Sequence, residues 1–195
     1  MILSNVEIHR ALDDGRLILD PEPTPRTPGD ADVDCPYQTS AIDLRLDSEI
    51  SYLNEDLPVT IDLRRGGFAK LFGPNSQNQT ISEEQPFVLE PGRLVLGRTL
   101  ERVGLPILEG GNCLAARVEG KSSYARCGLL VHFTAPTIHS GYKGTITLEL
   151  YNLGTCNISL FPNEPICQLI VESVLGVPFR NDSQFHGQQA AGGVV

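Results

Sequence analysis

No run of apolar residues in this 195-residue chain is long enough to cross a bilayer, and no basic stripe lies along it. The first absence excludes a membrane-spanning helix. The second, with a formal net charge of -9, excludes an extended nucleic-acid surface, which needs many lysines and arginines to neutralise phosphates. A disulfide framework is missing too. Cys35, Cys113, Cys127, Cys156 and Cys167 are odd in number and scattered, so the chain reads as a reduced, cytoplasmic protein with mostly buried, inert thiols. No two cysteines stand three apart, and His9, His132, His139 and His186 give no ligand pair at helical spacing, so no metal site is expected. The sequence has no repeat or heptad pattern, and its N-terminus carries a helix signal in place of a secretory one.

What is present fits one globular domain over residues 1–195, with 41% hydrophobic content, ample for a full core. Within residues 1–19, Ser4-Asn5-Val6-Glu7 has capping-box form, with apolar Ile8, Ala11 and Leu12 after it and a stop near Gly15, which predicts a short amphipathic helix. Residues 20–36 hold Pro21, Pro23, Pro25, Pro28 and Pro36 and read as an extended loop; residues 66–80 form the next such break. Short alternating or apolar runs at 41–46, 59–63, 86–98, 113–118, 129–134, 145–151, 157–161 and 166–172 predict strands of an all-β barrel or sandwich. Residues 181–195, rich in Gly, Gln and Ala, read as a mobile tail.

Residues 119–152 carry the chemistry. In Thr145-Ile146-Thr147-Leu148-Glu149-Leu150-Tyr151 the apolar residues alternate with polar ones, so Glu149 stands on a polar face flanked by hydroxyls. A carboxylate there is either one solvated side chain on the outer face of a sheet or a base on a pocket wall. Upstream, Gly120-Lys121-Ser122-Ser123-Tyr124-Ala125-Arg126 offers a tight turn, two hydroxyls and two cations. This set suits a phosphate and equally a capped surface turn. It is no Walker loop, because Ala115 stands where the first glycine is required. His132, in an apolar run, reads as a structural histidine.

Taken together, these motifs resemble the dCTP deaminase family of the dUTPase-like superfamily. The likeness runs from Leu3-Ser4 and Gly15-Arg16-Leu17 through Ala41–Leu46 and Pro86–Gly92 to Gly187-Gln188. Its core is Gly120-Lys121-Ser122-Ser123 with Ala125-Arg126, then Thr134-Ala135, Gly141, Gly144 and Leu148-Glu149. The resemblance implies a mainly β fold, a distorted β-barrel or jelly-roll of the dUTPase-like type with a short N-terminal helix, assembled as a homotrimer with sites at subunit interfaces. It implies hydrolytic deamination of dCTP to dUTP and ammonia, with Glu149 as general base, Ser122 and the Ala135 carbonyl holding the water, and Arg126 supplying positive field. Lys121, Ser122, Ser123, Tyr124, Ala125, Arg126, His139, Thr147, Leu148, Glu149, Gln168, Phe179, Gln184 and Gln188 would bind the nucleotide. The tail would act as a lid. No cofactor is implied for deamination, and Mg2+ would arrive with the triphosphate. The H-x-E and P-C-x-x-C pattern of zinc deaminases is absent.

Several positions depart from the family pattern. His139 stands where an acidic residue is usual, Thr137 where some relatives carry Arg, and Phe179 and Gln184 where Tyr and Lys are common. A neutral imidazole at 139 is a poorer base for attack on phosphorus, which favours simple deamination over a bifunctional enzyme forming dUMP or a dUTPase. A nucleotide-binding regulator is the remaining alternative, opposed by the joint retention of Ser122, Arg126 and Glu149.

Overall fold

The computed structural model describes residues 1–29, 34–54, 60–62, 64 and 75–180. The N-terminal helix α1 spans Asn5–Asp13, with Ser4 as its N-cap accepting from the Glu7 N–H, and Ile8 and Ala11 are its buried residues. Glu7 does not close the box in return; its carboxylate pairs with Arg10 one turn on. Gly15, at φ 74°, makes the chain reversal that ends the segment.

The architecture is mainly β, as the resemblance implies, but the described strands form three sheets with no closed barrel. The strands are β1 (Ile18–Asp20), β2 (Ile42–Arg45), β3 (Glu49–Leu53), β4 (Ser76–Thr80), β5 (Phe87–Leu89), β6 (Leu94–Gly104) and β7 (Leu114–Gly120). They continue with β8 (Leu129–Leu130), β9 (Thr137–Ile138), β10 (Lys143–Asn152), β11 (Ile158–Leu160) and β12 (Pro165–Ser173). A five-residue helix, α2 (Ser122–Arg126), lies between β7 and β8. One sheet runs β4-β3-β6-β10-β8 with β1 also on β6, a second runs β2-β12-β7-β9, and β5 pairs with β11. No helix among the described residues is long and apolar enough to cross a membrane.

Three expectations need correction. The run 86–98 is two strands, because Glu90-Pro91-Gly92 turns the chain with Gly92 at φ 77°. The polar segment Ser76–Thr80, read as part of a loop, is strand β4. Its main chain pairs with β3 from Glu49↔Thr80 to Leu53↔Ser76, and backbone bonding leaves no mark on side-chain periodicity. The thiols are not mostly buried: Cys113 and Cys167 are, while Cys127 and Cys156 sit on exposed loops. Of the run 59–63, residues 60–62 form no strand and the rest lies outside the described residues, as does the tail 181–195.

Strands β6 and β10 are the frame on which the site is built. Leu148 and Leu150 are fully buried on one face of β10, worth roughly 1.5–3 kcal/mol each. Gly97 opposite Leu148 leaves room for this packing, since a Cβ there would stand 2.9 Å from Leu46 Cδ1. The register slips between Thr145 and Thr147, and Thr99 Oγ1 fills the irregularity by accepting from the Ile146 N–H at 2.9 Å. At the far end buried Asn152 donates to the carbonyls of Leu89 and Cys156 and accepts from the Gly154 N–H, fixing the turn beyond β10.

Candidate active site

Alternation along β10 puts Thr147, Glu149 and Tyr151 on the face opposite the core, each half-buried. That face is not open solvent. Between β8, which pairs with β10, and β9, which pairs with β7, residues 131–136 cross from one sheet to the other. The crossing is tied down by Glu149 N–H to the Val131 carbonyl at 3.1 Å and Val118 N–H to the Pro136 carbonyl at 2.9 Å. A cavity of about 650 Å³ lies between the crossing and the strands.

Glu149 stands on the wall of this cavity and accepts a 3.0 Å hydrogen bond from the Phe133 N–H. One carboxylate oxygen is thereby anchored to the main chain, which fixes the direction of the other. Ala135, Thr134 and Thr147 share the wall with it, and the remainder is largely apolar, including Leu94, Val118, Ile138 and Ile146. An apolar cavity with few convergent polar groups is the common form of a small-molecule site.

Tyr142 and His132 also line the cavity. The Tyr142 hydroxyl donates to the Thr145 carbonyl at 2.5 Å, and burial pushes its phenol up to about 12. His132 turns Nε2 toward Glu119 at 3.7 Å, while its buried Nδ1 has no partner among the described residues. Tyr142 and the Phe133 N–H stand outside the set of site residues expected from the sequence. Tyr142 had a signal, since it stands between Gly141 and Gly144 at the turn into β10; a backbone donor has none.

The second half of the predicted constellation lies elsewhere on the chain. In α2 no residue is buried, and Ser122, Ser123, Ala125 and Arg126 are exposed. None of them lines the Glu149 cavity. Lys121, the N-cap residue, is drawn inward: its Nζ meets Asp43 Oδ2 at 2.5 Å, and Gln168 Nε2 donates to the other oxygen at 2.9 Å. Lys121 and Asp43 border a separate cavity of about 330 Å³. The Tyr124 hydroxyl donates to Glu164 at the edge of a third, of about 450 Å³. Asp43 was legible as a charge inside an apolar strand; Glu164 was not.

The other predicted contacts scatter. Leu148 is buried on the core face, so only its main chain can reach the cavity. His139 is exposed next to cavity-lining Ile138 and does not line the cavity itself, and Phe179 is also exposed. Gln184 and Gln188 lie outside the described residues. Among the described residues no group of three or more His, Cys, Asp or Glu is placed to hold a metal ion.

Comparisons with known proteins bear on this geometry. A family model described as dCTP deaminase-like matches residues 2–174. A protein of Rhodococcus erythropolis named "dCTP deaminase, dUMP-forming" is 38% identical over 197 residues, covering 97% of this chain and 93% of its own. One of the same name from Methanosphaera stadtmanae is 32% identical, covering 96% and 89%. A Haloarcula marismortui protein named "dCTP deaminase" is 36% identical over 87% of this chain and 78% of its own. Among solved structures, the 2'-deoxycytidine 5'-triphosphate deaminase of Agrobacterium tumefaciens superposes with a TM-score of 0.59 at 22% identity. The match covers 87% of this chain and 47% of that one, and supports the fold.

Proposed function

Because the chain belongs to the dCTP deaminase-like family, we propose that it hydrolyses the 4-amino group of dCTP, releasing ammonia and forming dUTP. The observation that carries this reading is Glu149: the one carboxylate among the described residues on the wall of a largely apolar cavity, anchored by the Phe133 N–H, with Ala135 and Thr147 beside it.

In the proposed step Glu149 takes a proton from a water molecule held at the Ala135 carbonyl, and the hydroxide attacks C4 of the cytosine. The carboxyl group passes that proton to N3, giving a tetrahedral intermediate. It then relays the proton of the new hydroxyl to the amino group, so that the C4–N bond breaks as ammonia leaves and C4 becomes a carbonyl. Water and dCTP are thereby converted to dUTP and ammonia with Glu149 regenerated. Such proton shuttling contributes about 10²–10⁴-fold.

Ser122, Ser123 and Arg126 are assigned to the water and the phosphates. Their exposure, away from the Glu149 cavity of the same chain, supports an assembly in which α2 of one protomer completes the cavity of its neighbour. We take that assembly to be a homotrimer. Mg2+ enters as part of the substrate, bound to the triphosphate, and the free thiols fit a cytoplasmic setting.

A second reading continues to dUMP and pyrophosphate. It is favoured by the relatives named dUMP-forming, and opposed by His139, an imidazole in place of the usual acid. Incubating the protein with dCTP, and separately with dUTP, in the presence of magnesium decides between them. Ammonia without pyrophosphate supports the first reading, and both products from dCTP support the second. Neither product from either nucleotide would overturn both in favour of a nucleotide-binding regulator.

A further inference from the structure

The helix α2 is too short to hold itself. Five residues cannot recover the cost of helix nucleation, no residue of the helix is buried, and Lys121 at the N-cap supplies no side-chain capping bond. Yet α2 carries Ser122 and Arg126, whose side chains make no hydrogen bond or ion pair with the described residues and are free to meet a ligand. Something outside the helix must set their direction.

Three attachments are present. At the entrance, Lys121 is bound to Asp43, itself steadied by Gln168. At the exit, Gly128 at φ 93° lies against Gly154, and the Leu153 N–H donates to the Gly128 carbonyl at 2.8 Å. These hold the two ends of the segment and leave its rotation open. The third attachment comes from within the helix: the Tyr124 phenol donates to the Glu164 carboxylate, an ion-assisted bond of the stronger class.

Glu164 stands on a rigid support. Its carbonyl accepts from the Leu46 N–H at 2.9 Å, the Asn163 N–H donates to the Leu46 carbonyl at 2.8 Å, and Asn163 takes the left-handed φ of 64° that asparagine tolerates. Burial first, and then the carboxylate of Glu164, raise the Tyr124 phenol well above its ordinary range, so it remains a donor at any working pH. The ring of Tyr124 packs partly against the core, which leaves the opposite side of α2, with Ser122 and Arg126, outward.

We infer that Tyr124 and Glu164 are positioning residues: their bond sets the rotation of α2 and so aims Ser122 and Arg126 at the nucleotide. For its catalytic consequence this inference rests on the function proposed above. The tether itself does not.

Two measurements on the full-length protein test it, using Tyr124→Phe, Glu164→Gln and Glu164→Leu. Amide hydrogen exchange of residues 122–128 should quicken about tenfold in Y124F and E164L, and less in E164Q, which keeps an acceptor oxygen. Steady-state turnover of dCTP should fall about tenfold in kcat/KM in Y124F with the melting temperature nearly unchanged. The Y124F/E164L double variant should be no worse than either single one. Wild-type exchange in Y124F would overturn the tether. Quickened exchange with unaltered kcat/KM would overturn the positioning role, as would a loss in E164Q equal to that in E164L. Were the wild-type protein to release no ammonia from dCTP, the deaminase reading would fall. The exchange rates, with the calorimetric affinity of each variant for dCTP, would still decide this one.

Discussion

Glu149 lies two residues from either neighbour on its own face of β10, and the core residues Leu148 and Leu150 hold that phase, so its carboxylate cannot turn inward without exposing them. Glu149→Gln keeps the size of the side chain and an oxygen for the Phe133 N–H but cannot accept a proton. Ammonia release should fall by about 10²–10⁴-fold, with nucleotide affinity changed less than about threefold. Near-normal turnover in this variant would remove Glu149 from the mechanism. Tyr142, on the same cavity, sets an alkaline limit. Its phenol is raised from 10.0 to about 12 by burial. Below pH 10 both states keep the proton and stability does not depend on it; above, the unfolded chain loses the proton while the folded one retains it. Stability should therefore decline as pH rises from about 10 to about 12. Denaturant midpoints across that range check it, with Tyr142→Phe flattening the decline.

The seam between the α2 exit and the turn after β10 is decided by backbone proximity. A methyl group on Gly128 would collide with the main chain of Gly154, and φ 93° is strained for any other residue. Gly128→Ala should destabilise the protein by at least about 2 kcal/mol, through strain and overpacking together. Gly92→Ala is the control: it shares a positive φ of 77°, but its Cβ would meet nothing within 4 Å, so only the backbone strain of about 1 kcal/mol remains. Equal urea midpoints for the two would contradict the collision. Element by element, strands with a buried face were legible, β10 and β12 most clearly, because burial imposes the period of two. The helix α1 was legible from its cap. By contrast β4 and β9 were not: one is polar and the other two residues long, and both exist through main-chain bonds to a neighbouring strand.

At the scale of the whole molecule, the separation of α2 from the Glu149 cavity makes a prediction about assembly. If each site takes Glu149 from one protomer and Arg126 from the next, two inactive proteins should repair one another. Glu149→Gln and Arg126→Ala, mixed in equal amounts and allowed to exchange subunits, should recover about a quarter of wild-type deamination. In a random mixture one site in about four unites two intact halves. Recovery of no activity after demonstrated subunit exchange would place both halves of the site on the same chain, and sedimentation of the unmixed protein checks for the trimer.

By itself the sequence determined the chemical inventory and the local order of this protein. Alternation placed Glu149 opposite Leu148 and Leu150, the Ser4 cap started α1, and the motifs from Gly120 to Glu149 identified the family. Such information survives in the sequence because each feature depends on residues near one another in the chain. Only the tertiary structure decided which groups meet. It gave Glu149 to the Phe133 N–H, turned Lys121 to Asp43 across 78 residues of chain, and bound Tyr124 to Glu164 across 40. Those partners are fixed by sheet register and by loops crossing between sheets, and neither leaves a periodic trace for the sequence to show.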